Sequence, residues 1–437
     1  MSGEKRMLHR RRLLALGLTG GALGALSAAG MKAQTIIDSA PLLQREINAA
    51  AKLGRVVQIP PGISYVSRLR LPSTVRLVGA GRSSRLVAVG GGPMLSIDRA
   101  ESVVIENLAF DGAGHAPGGD GGLIEAQDTA ELRLLDCSLE RVAGHGAKLL
   151  RTGGMVTRCR FRALAESAVF STDGAGLSVT DNRVEECGNN GVLIWRSAAG
   201  DDGSIMRGNH FAHIRANRGG DGPYGNAINV FRAGGVITEG NVIRGCAFSA
   251  IRYNAGSNAS ITGNSCSDLG EVAIYVEFGF QGAVVQGNLV DGAALGISIT
   301  NFDQGGRLAA CTGNVVRNLD RPRPQGMDLS GVGIHVEADT VVSGNAVDRA
   351  DFVGLEIGFG TGLRNVLATS NVVSDCAYGV AVSVAQGAGS ASVTNNVIAR
   401  SRRGAIVGMA WDKVTVPDLA AQAASYPQLA IAGNQLR

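Results

Sequence analysis

A glycine–asparagine pair returns along this sequence at short and nearly regular intervals. It stands at Gly208-Asn209, Gly240-Asn241, Gly263-Asn264, Gly287-Asn288, Gly313-Asn314, Gly344-Asn345 and Gly433-Asn434. Related pairs stand at Asp181-Asn182, Ser370-Asn371 and Asn395-Asn396, and weaker copies at Asn107, Asp136 and Arg158. Most spacings are 23 to 32 residues. A period of this length is typical of repeat proteins, in which each turn stacks on the next, and it predicts about thirteen turns.

Each repeat contains three short β-like segments and has no room for a helix. One precedes the asparagine, as in Ala283-Val284-Val285, and another opens with glycine, as in Gly296-Ile297-Ser298-Ile299. The 63 glycines among 437 residues and an aromatic content of 4% fit tight turns around a narrow core. We therefore expect an all-β parallel β-helix, in which strands of successive coils pair about 4.8 Å apart.

The asparagines are expected to stack as a ladder at one corner of each coil. Asparagine tolerates a left-handed turn conformation, and its side-chain amide can bond to the next coil. Three of the seven cysteines, Cys187, Cys246 and Cys376, lie five residues after a ladder asparagine. This shared position favours a column of small core residues over disulfides or a redox or metal role.

The first 33 residues read as a signal peptide. A basic segment with Arg10-Arg11-Arg12 precedes the apolar run Leu13–Ala29, and cleavage is expected near Ala29 or Ala33. The formal net charge of the chain is +4, but these residues carry +5, which leaves the remainder at about −1. A near-neutral body argues against nucleic acid as a partner. The arginine run resembles a twin-arginine signal, so we expect a periplasmic or secreted protein with no membrane contact after cleavage.

Residues 34–437 form the expected β-helix domain, and residues 34–54 its N-terminal cap. The segment Pro41–Lys52 has helical spacing of apolar residues and ends at Gly54. An amphipathic helix of this kind can cover the open end of a solenoid.

The chain resembles the pectate-lyase-like right-handed parallel β-helix superfamily. The resemblance rests on the opening helix, the segment Val57-Gln58-Ile59-Pro60-Pro61-Gly62 and the later Leu77–Gly81. The twin-arginine leader and the repeats are more narrowly similar to exported repeat proteins of alphaproteobacteria. The resemblance implies a right-handed β-helix, and it implies that polysaccharide lies along the outside of one parallel sheet.

The matching sheet is the one whose strands open with glycine. Because side chains alternate along a strand, its outward residues can be read from the sequence. The expected outward pairs are Lys148/Leu150, Val169/Ser171, Leu193/Trp195, Asn229/Phe231, Arg252/Asn254, Tyr275/Glu277, Ser298/Thr300, His335/Glu337, Glu356/Gly358, Ala381/Ser383 and Ile406/Gly408. Two long insertions, Ala216–Gly225 and Asn318–Gly331, border the central coils, and they could form the two sides of a groove.

The central outward positions combine aromatic, basic, carboxyl and amide side chains. The candidates for catalysis are Arg252, Tyr275, Glu277, His335, Glu337 and Glu356. The candidates for substrate binding are Trp195, Asn229, Phe231, Asn254 and Arg323. Aromatic faces would stack on sugar rings, and the amides and arginines would bind hydroxyls or a uronate carboxylate.

Two kinds of chemistry remain open for this set. Elimination or epimerisation of a uronate needs a cation, a base and an acid, for which Arg252 or Arg323, His335 or Tyr275, and Glu277 are available. Hydrolysis needs two carboxyl groups, and Glu337 and Glu356 should lie about 8 Å apart, as in inverting enzymes.

The sequence thus predicts an exported β-helix protein that binds or modifies polysaccharide as a lyase, epimerase or hydrolase. The alternative is a non-catalytic envelope scaffold or binding protein. Polysaccharide is the expected partner, and neither a cofactor nor a metal is expected. The glycine-rich loop with Asp111, His115 and Asp120 is read as solvated surface. Sequence patterns leave the oligomeric state and the type of glycan open.

Overall fold

Three parallel sheets, each with fifteen strands, form the β-helix in this computed structural model, which describes residues 36–219, 222–322 and 330–437. Up to the last coil, each coil contributes one strand to each sheet, so that strands three apart in the chain are neighbours. All neighbouring strands pair in parallel except the last two of the third sheet, Gly404–Ala410 and Lys413–Val416, which are antiparallel. The predicted all-β parallel β-helix is confirmed, with slightly more coils than the thirteen expected.

The first sheet comprises Val56–Gln58, Arg76–Val78, Ser102–Glu106, Glu131–Leu135, Gly154–Thr157, Ser178–Thr180, Ile205–Arg207, Ile237–Glu239, Ala259–Thr262, Gln281–Gln286, Arg307–Thr312, Thr340–Ser343, Val366–Thr369, Ala391–Thr394 and Leu429–Ala432. The second comprises Gly62–Val66, Ser84–Ala88, Ala109–Asp111, Ser138–Val142, Arg160–Leu164, Arg183–Cys187, His210–Ile214, Val242–Cys246, Ser265–Leu269, Leu289–Asp291, Val315–Leu319, Ala346–Ala350, Val372–Ser374, Val397–Ala399 and Gln435–Leu436.

The third sheet comprises Leu69–Leu71, Leu95–Asp98, Gly122–Gln127, His145–Leu150, Val169–Thr172, Asn190–Asp201, Asn226–Gly234, Ile251–Asn254, Val272–Glu277, Leu295–Ile299, Val332–Val336, Val353–Ile357, Tyr378–Ser383, Gly404–Ala410 and Lys413–Val416. Short 3₁₀ turns span Gly81–Ser83, Phe302–Gln304 and Ala423–Ser425. An α-helix spans Ala40–Leu53.

The helix covers the first coil, as predicted for the cap. Leu43 and Ile47 on its apolar face are buried in the same core as the strands. Pro41 lies in its first turn, where the missing N–H costs nothing, and Gly54 ends it in the left-handed conformation at φ 62°. Within the described residues, no helix combines the length and the apolar character that a membrane crossing requires.

The predicted asparagine ladder is present and runs through ten coils. Its members are Asn182, Asn209, Asn241, Asn264, Asn288, Asn314, Asn345, Asn371, Asn396 and Asn434. Asn264 is a typical member. Its backbone N–H and its side-chain Nδ2 both donate to Oδ1 of Asn288, at 2.9 and 3.0 Å. The same Nδ2 also donates to the Thr238 carbonyl at 3.1 Å. The ladder therefore satisfies the polar groups that are buried at this corner.

One detail of the ladder differs from the expectation. The left-handed residue is the one before each asparagine, such as Gly263 at φ 63° or Asp181 at φ 56°. Glycine is common there because it adopts positive φ without strain. The upstream copies Asn107, Asp136 and Arg158 occupy this left-handed position. Their coils place Leu108, Cys137 and Cys159 in line with the ladder instead.

The interior consists of stacked aliphatic columns. One column carries a fully buried branched residue in six successive coils, namely Ile228, Ile251, Ile274, Ile297, Ile334 and Leu355. All seven cysteines are buried and free, which agrees with the expected core role. Continuous columns of this kind bury apolar surface without a large globular core.

The outward register of the third sheet was predicted correctly in the central coils and wrongly at two others. Val169 pairs with Ala147 and Val192 and faces inward, so Phe170 and Thr172 take the outward positions. Ile406 likewise pairs with Val380 in the core, and the outward residue is Val407. A slip of one residue exchanges the two faces of a strand, and the expected phase was shifted by one in these coils.

Candidate functional site

The outward face of the third sheet carries two parallel columns of side chains. Pairing of strands places in the first column Phe170, Leu193, Asn229, Arg252, Tyr275, Ser298, His335, Glu356 and Ala381. The second column contains Thr172, Trp195, Phe231, Asn254 and Glu277. Nine of the eleven predicted site residues therefore lie in these two columns. The tenth, Glu337, lies next to them, with its Oε1 3.9 Å from Nε2 of His335. The eleventh, Arg323, lies outside the described residues.

Arg252 is the centre of a buried ionic cluster. Its Nε and Nη2 donate to the two carboxylate oxygens of Glu277 at 2.6 and 3.0 Å, and its Nη1 lies 3.4 Å from Oε2 of Glu271. The guanidinium lies over the Tyr275 ring at 4.9 Å, and the Asn254 amide donates to Glu277 at 3.0 Å. Arg252 and Glu277 are 8% and 1% exposed.

The two carboxylates neutralise Arg252 within the protein. Burial alone would lower the pKa of Arg252, but the adjacent Glu277 and Glu271 raise it above its ordinary value. Burial also raises the pKa of the Tyr275 hydroxyl, and the Glu277 charge adds to this increase. Tyr275 is therefore a neutral phenol, and Arg252 is a fixed cation with its charge already paired.

A second cluster lies two coils further along the same face. His335 pairs with Glu356 on the neighbouring strand, and Glu337 follows His335 by two residues. All three side chains are buried, with exposures of 5% for His335, 8% for Glu337 and 1% for Glu356. Nε2 of His335 is 3.9 Å from Oε1 of Glu337. Among the contacts of the described residues, no arginine or lysine side chain forms an ion pair with Glu337 or Glu356.

Burial sets the protonation state of this cluster. It raises the pKa of Glu356 to about 8, and the Glu337 charge adds to the increase. It raises the pKa of Glu337 to about 7, although the Phe302 backbone N–H, which donates to Oε2 at 2.6 Å, opposes the shift. Burial lowers the pKa of His335 to about 4. At neutral pH the cluster thus holds a protonated Glu356 and an uncharged His335.

Two polar atoms of the cluster lack a bonding partner. Within the described ranges, Oε2 of Glu356 and Nε2 of His335 are buried and make no hydrogen bond. Buried polar groups of native proteins are nearly always bonded, so unbonded ones indicate a place for water or a ligand. Perturbed carboxyl groups with free bonding capacity are typical of acid–base sites.

An aromatic ladder precedes both clusters on the same face. The ring centroids of Phe170 and Trp195 are 5.1 Å apart, and those of Trp195 and Phe231 are 5.6 Å apart, both edge to face. His145 extends the ladder at 5.2 Å from Phe170. Trp195 donates its indole N–H to Asn229 at 3.0 Å. We call Phe170, Trp195 and Phe231 the aromatic platform.

Several members of these groups were absent from the sequence-based candidates. Phe170 was missed because the phase of its strand was shifted by one. Glu271 precedes the outward-patterned part of its strand, so alternation did not reveal it. The Phe302 backbone reaches Glu337 from the turn after an adjacent strand, and such a contact leaves no pattern in the sequence.

The glycine-rich loop near Asp111 has structural partners. The Asp111 carboxylate bonds to Arg85 and Arg141, and Asp120 lies 3.2 Å from His145 and 3.1 Å from Lys148. Across residues 36–219, 222–322 and 330–437, no three His, Cys, Asp or Glu side chains form a group suited to a metal ion.

Comparison with solved structures shows the same fold in an alginate lyase and in a bacteriophage protein. A PL6 alginate lyase in complex with a trisaccharide superposes with a TM-score of 0.53 at 13% identity, covering 90% of this chain and 93% of that one. The N-terminal fragment of bacteriophage phi29 gene product 12 gives a TM-score of 0.50 at 14% identity, covering 87% and 69%. The catalytic unit of a GH87 α-1,3-glucanase from Streptomyces thermodiastaticus strain HF3-3 gives 0.48 at 15% identity. That match covers 91% of this chain and 66% of the glucanase chain.

A search of curated protein sequences found no match. The family model for the right-handed β-helix region matches residues 82–211 and 199–365, which together are well over half of the chain. These two matches span the aromatic platform and both side-chain clusters. The chain belongs to the right-handed β-helix family.

Proposed function

We propose that this protein binds a polysaccharide along the outward face of the third sheet and hydrolyses it at Glu337 and Glu356. The observation that carries the proposal is the pair of buried carboxyl groups on adjacent coils, with pKa values raised to about 7 and about 8. One of them, Glu356, has an oxygen without a bonding partner among the described residues.

The two carboxyl groups fit different roles. Glu356 is protonated at neutral pH and can donate its proton to the glycosidic oxygen of the leaving sugar. Glu337 has the lower pKa and can accept a proton from the attacking water. One coil and two residues separate them, or about 8 Å, which is within the range of about 6.5–9.5 Å for inverting enzymes. His335 is uncharged and can position the water or a sugar hydroxyl.

Hydrolysis is favoured over elimination by the state of Arg252. Elimination from a uronate needs a cation that neutralises the sugar carboxylate. The Arg252 guanidinium is already bound by Glu277 and by Glu271. A uronate bound at Arg252 would therefore meet the Glu277 and Glu271 carboxylates together with the guanidinium, and it would compete with Glu277 for it.

The alginate lyase that shares the fold was solved with a trisaccharide, so a β-helix of this kind can act on a polysaccharide. This likeness supports the substrate class and leaves the reaction to the local chemistry. A scaffold that binds without catalysis is the alternative. It has no need of desolvated carboxyl groups, which are costly to bury.

The test is a panel of neutral and acidic polysaccharides assayed for new reducing ends and for the ultraviolet absorbance of unsaturated products. Hydrolysis predicts new reducing ends without unsaturation, and it predicts products of inverted anomeric configuration by NMR. Glu356→Gln and Glu337→Gln should each lower the rate at least about 100-fold, as for loss of a general acid or base. Glu239→Gln, an exposed carboxylate of the first sheet paired with Arg207, is the matched control.

Unsaturated products would show that the reaction is an elimination and would contradict hydrolysis. Binding without any product would favour the scaffold. Full activity in both glutamine variants would remove Glu337 and Glu356 from the reaction.

We further propose that residues 1–33 direct export through the twin-arginine route. The support is the basic segment and the apolar run that follows it. Replacing Arg10 and Arg11 by lysine should leave the precursor inside the cell. N-terminal sequencing of the exported protein should place the new terminus near residue 30 or 34. Export that is unaffected by these replacements would contradict the proposal.

A further inference from the structure

The cap and the first two coils of the solenoid have a large excess of positive charge. Residues 38–100, which we call the cap end, contain nine basic and three acidic residues, a net charge of +6. Residues 101–437 contain 26 basic and 33 acidic residues, a net charge of −7. The near-neutral total thus conceals a separation of charge along the solenoid. An anionic surface attracts the first part and repels the second, so it would orient the protein with the cap end toward it.

Six of the nine basic side chains of the cap end are exposed and form no ion pair with any residue that the structure describes. They are Arg45, Lys52, Arg55, Arg68, Arg70 and Arg82. The other three, Arg76, Arg85 and Arg99, are paired with carboxylates. The six unpaired charges are therefore available to an external anion, in contrast to the internally neutralised Arg252.

The cap end also exposes large aliphatic side chains. Leu42, Leu53 and Ile63 are 64%, 62% and 62% exposed, the highest values for large apolar side chains in the described part of residues 38–437. Leu42 and Leu53 lie on the α-helix with Arg45 and Lys52, outside the face that packs on the first coil. A helix surface that combines basic and aliphatic side chains is typical of segments that lie at a lipid interface.

A groove beside this helix offers a place for a phosphate group. It has a volume of about 420 Å³, and Asn48, Arg68, Arg70 and Asp98 are among the residues that line it. The Asp98 carboxylate is already paired with Arg99 at 3.0 Å. The guanidinium groups of the two lining arginines can each bind phosphate oxygens through paired hydrogen bonds.

We propose that the cap end docks on a bilayer that contains anionic phospholipids. Its unpaired basic side chains bind headgroup phosphates, and Leu42, Leu53 and Ile63 enter the boundary between headgroups and acyl chains. A nucleic acid would make no use of exposed aliphatic side chains, and the one aromatic residue of the cap end, Tyr65, is half-buried. This inference replaces the expectation that the exported protein has no membrane contact.

Docking by the cap end leaves the candidate site free. The strand of Glu356 lies eleven coil steps from the first strand of the third sheet. At about 4.8 Å per step, the carboxyl pair is about 53 Å from the first coil. A solenoid that stands on a membrane would therefore hold this site well away from the lipid headgroups.

The test compares vesicle binding among variants of the exported protein, so that any leader residues that remain are the same in all of them. The protein is sedimented with vesicles of phosphatidylcholine containing about 30% phosphatidylglycerol, and pure phosphatidylcholine vesicles are the reference. The wild-type protein should bind the anionic vesicles at least tenfold more tightly than the reference, and high salt should reduce the difference. Unchanged unfolding midpoints verify that each variant is folded.

Two charge variants separate the cap end from the total charge. Replacing Arg45, Lys52 and Arg55 together by glutamine should weaken binding to the anionic vesicles at least tenfold, because each basic residue near the surface contributes to the attraction. The matched control lowers the total charge equally at exposed positions near the other end of the chain and should bind like the wild type. It replaces by glutamine Arg403, Lys413 and Arg437.

A third variant tests the aliphatic contact. Leu42→Ser, Leu53→Ser and Ile63→Ser together should also weaken binding to the anionic vesicles at least tenfold. Binding that survives these replacements unchanged would overturn the inference, because any anionic surface would then suffice. An equal loss in the two charge variants, or no preference of the wild type for anionic vesicles, would overturn it as well. Retention of duplex DNA without binding to vesicles would overturn it in favour of a nucleic acid.

Discussion

Two glutamates on the same face illustrate how position in the register decides the chemistry of a residue. Glu277 and Glu356 are both outward, both buried and both 1% exposed. Glu277 accepts two hydrogen bonds from Arg252, whereas Glu356 has the adjacent His335, uncharged at neutral pH, as its strand neighbour. The first carboxylate lies in an ion pair with a cation, whereas burial raises the pKa of the second to about 8 and holds it as an acid.

Removing Glu277 should reduce stability more than it changes chemistry. Glu277→Ala leaves Arg252 as a buried cation with the more distant Glu271, and we expect the free energy of unfolding to fall by about 3–5 kcal/mol. The measurement is guanidinium unfolding followed by circular dichroism. Glu239→Ala, which breaks an exposed pair, should cost no more than about 1 kcal/mol. A loss that small for Glu277→Ala would contradict the buried pair.

The raised pKa values of Glu356 and Glu337 should make stability fall as pH rises. Both carboxyl groups have ordinary values near 4.5 and folded values of about 8 and 7, so the unfolded chain loses these protons first. Their stabilising contribution is complete below pH 4.5 and is lost as pH approaches 8. The pKa of His335 is about 4 in the folded protein and 6.5 in the unfolded chain, so His335 changes the stability only below pH 6.5. The window from pH 6.5 to 8 therefore isolates the glutamates.

In that window we expect a loss of about 2 kcal/mol in the wild-type protein, because one pKa unit corresponds to about 1.36 kcal/mol. Glu356→Gln should remove more than half of this loss. Unfolding midpoints in guanidinium at pH 6.5, 7.25 and 8 provide the measurement. An identical slope in wild type and variant would mean that Glu356 is ionised in the folded protein.

At the scale of the element, the asparagine corner is a continuous hydrogen-bonded stack. From Asn209 onward, each asparagine oxygen accepts two bonds from the asparagine of the preceding coil, as Asn264 does from Asn241. Each side-chain amide also donates to a backbone carbonyl of that preceding coil, as Asn264 does to Thr238. The stack begins at Asn182, and the coils before it have leucine or cysteine in the same line. The corner thus has a polar part and an apolar part.

Breaking one rung should destabilise the stack. Asn288→Ala leaves the Asn264 backbone N–H and side-chain amide without their shared acceptor and the Ile261 carbonyl without its donor. Each unsatisfied buried group costs about 1–3 kcal/mol, so we expect a total of at least about 3 kcal/mol by guanidinium unfolding. Gln286→Ala, exposed and two residues away, is the control and should be nearly neutral. Equal midpoints for the two variants would contradict the role of the ladder.

At the scale of the whole molecule, the solenoid keeps every thiol in its interior. The seven cysteines are distributed over seven coils, all buried and all unpaired. Burial raises the pKa of thiols such as Cys187 and Cys311 to about 12, which suppresses the reactive thiolate. Cys137 and Cys159 lie in line with the ladder asparagines. The fold therefore does not depend on disulfides.

Alkylation should show this directly. We expect iodoacetamide to modify none of the seven cysteines in the folded protein and all seven in guanidinium without reductant, as counted by intact mass. Reductant should not shift the unfolding midpoint. A count below seven in guanidinium would show that disulfides are present.

Much of the fold was predictable because the same structural unit recurs many times along the sequence. The corner sequence before Asn241 or Asn288 recurs with few changes, so three strands per coil and the stacked ladder followed from spacing alone. The prediction of the outward face succeeded from Trp195 to Glu356, where apolar alternation is regular. It was wrong near Val169, where the phase assigned to the strand was one residue off and the missed residue was Phe170.

The sequence by itself determined the coil, the ladder and the direction in which most side chains point, because these depend on local spacing and alternation. Only the tertiary structure decided which of those side chains are ionised and which of the charges are paired. Arg252 and Glu277 are 25 residues apart, and their mutual neutralisation depends on strand pairing and on burial. The protonation of Glu356 likewise results from desolvation between neighbouring coils. Alternation specifies the face of a residue, whereas its charge state depends on the neighbours that folding brings to it.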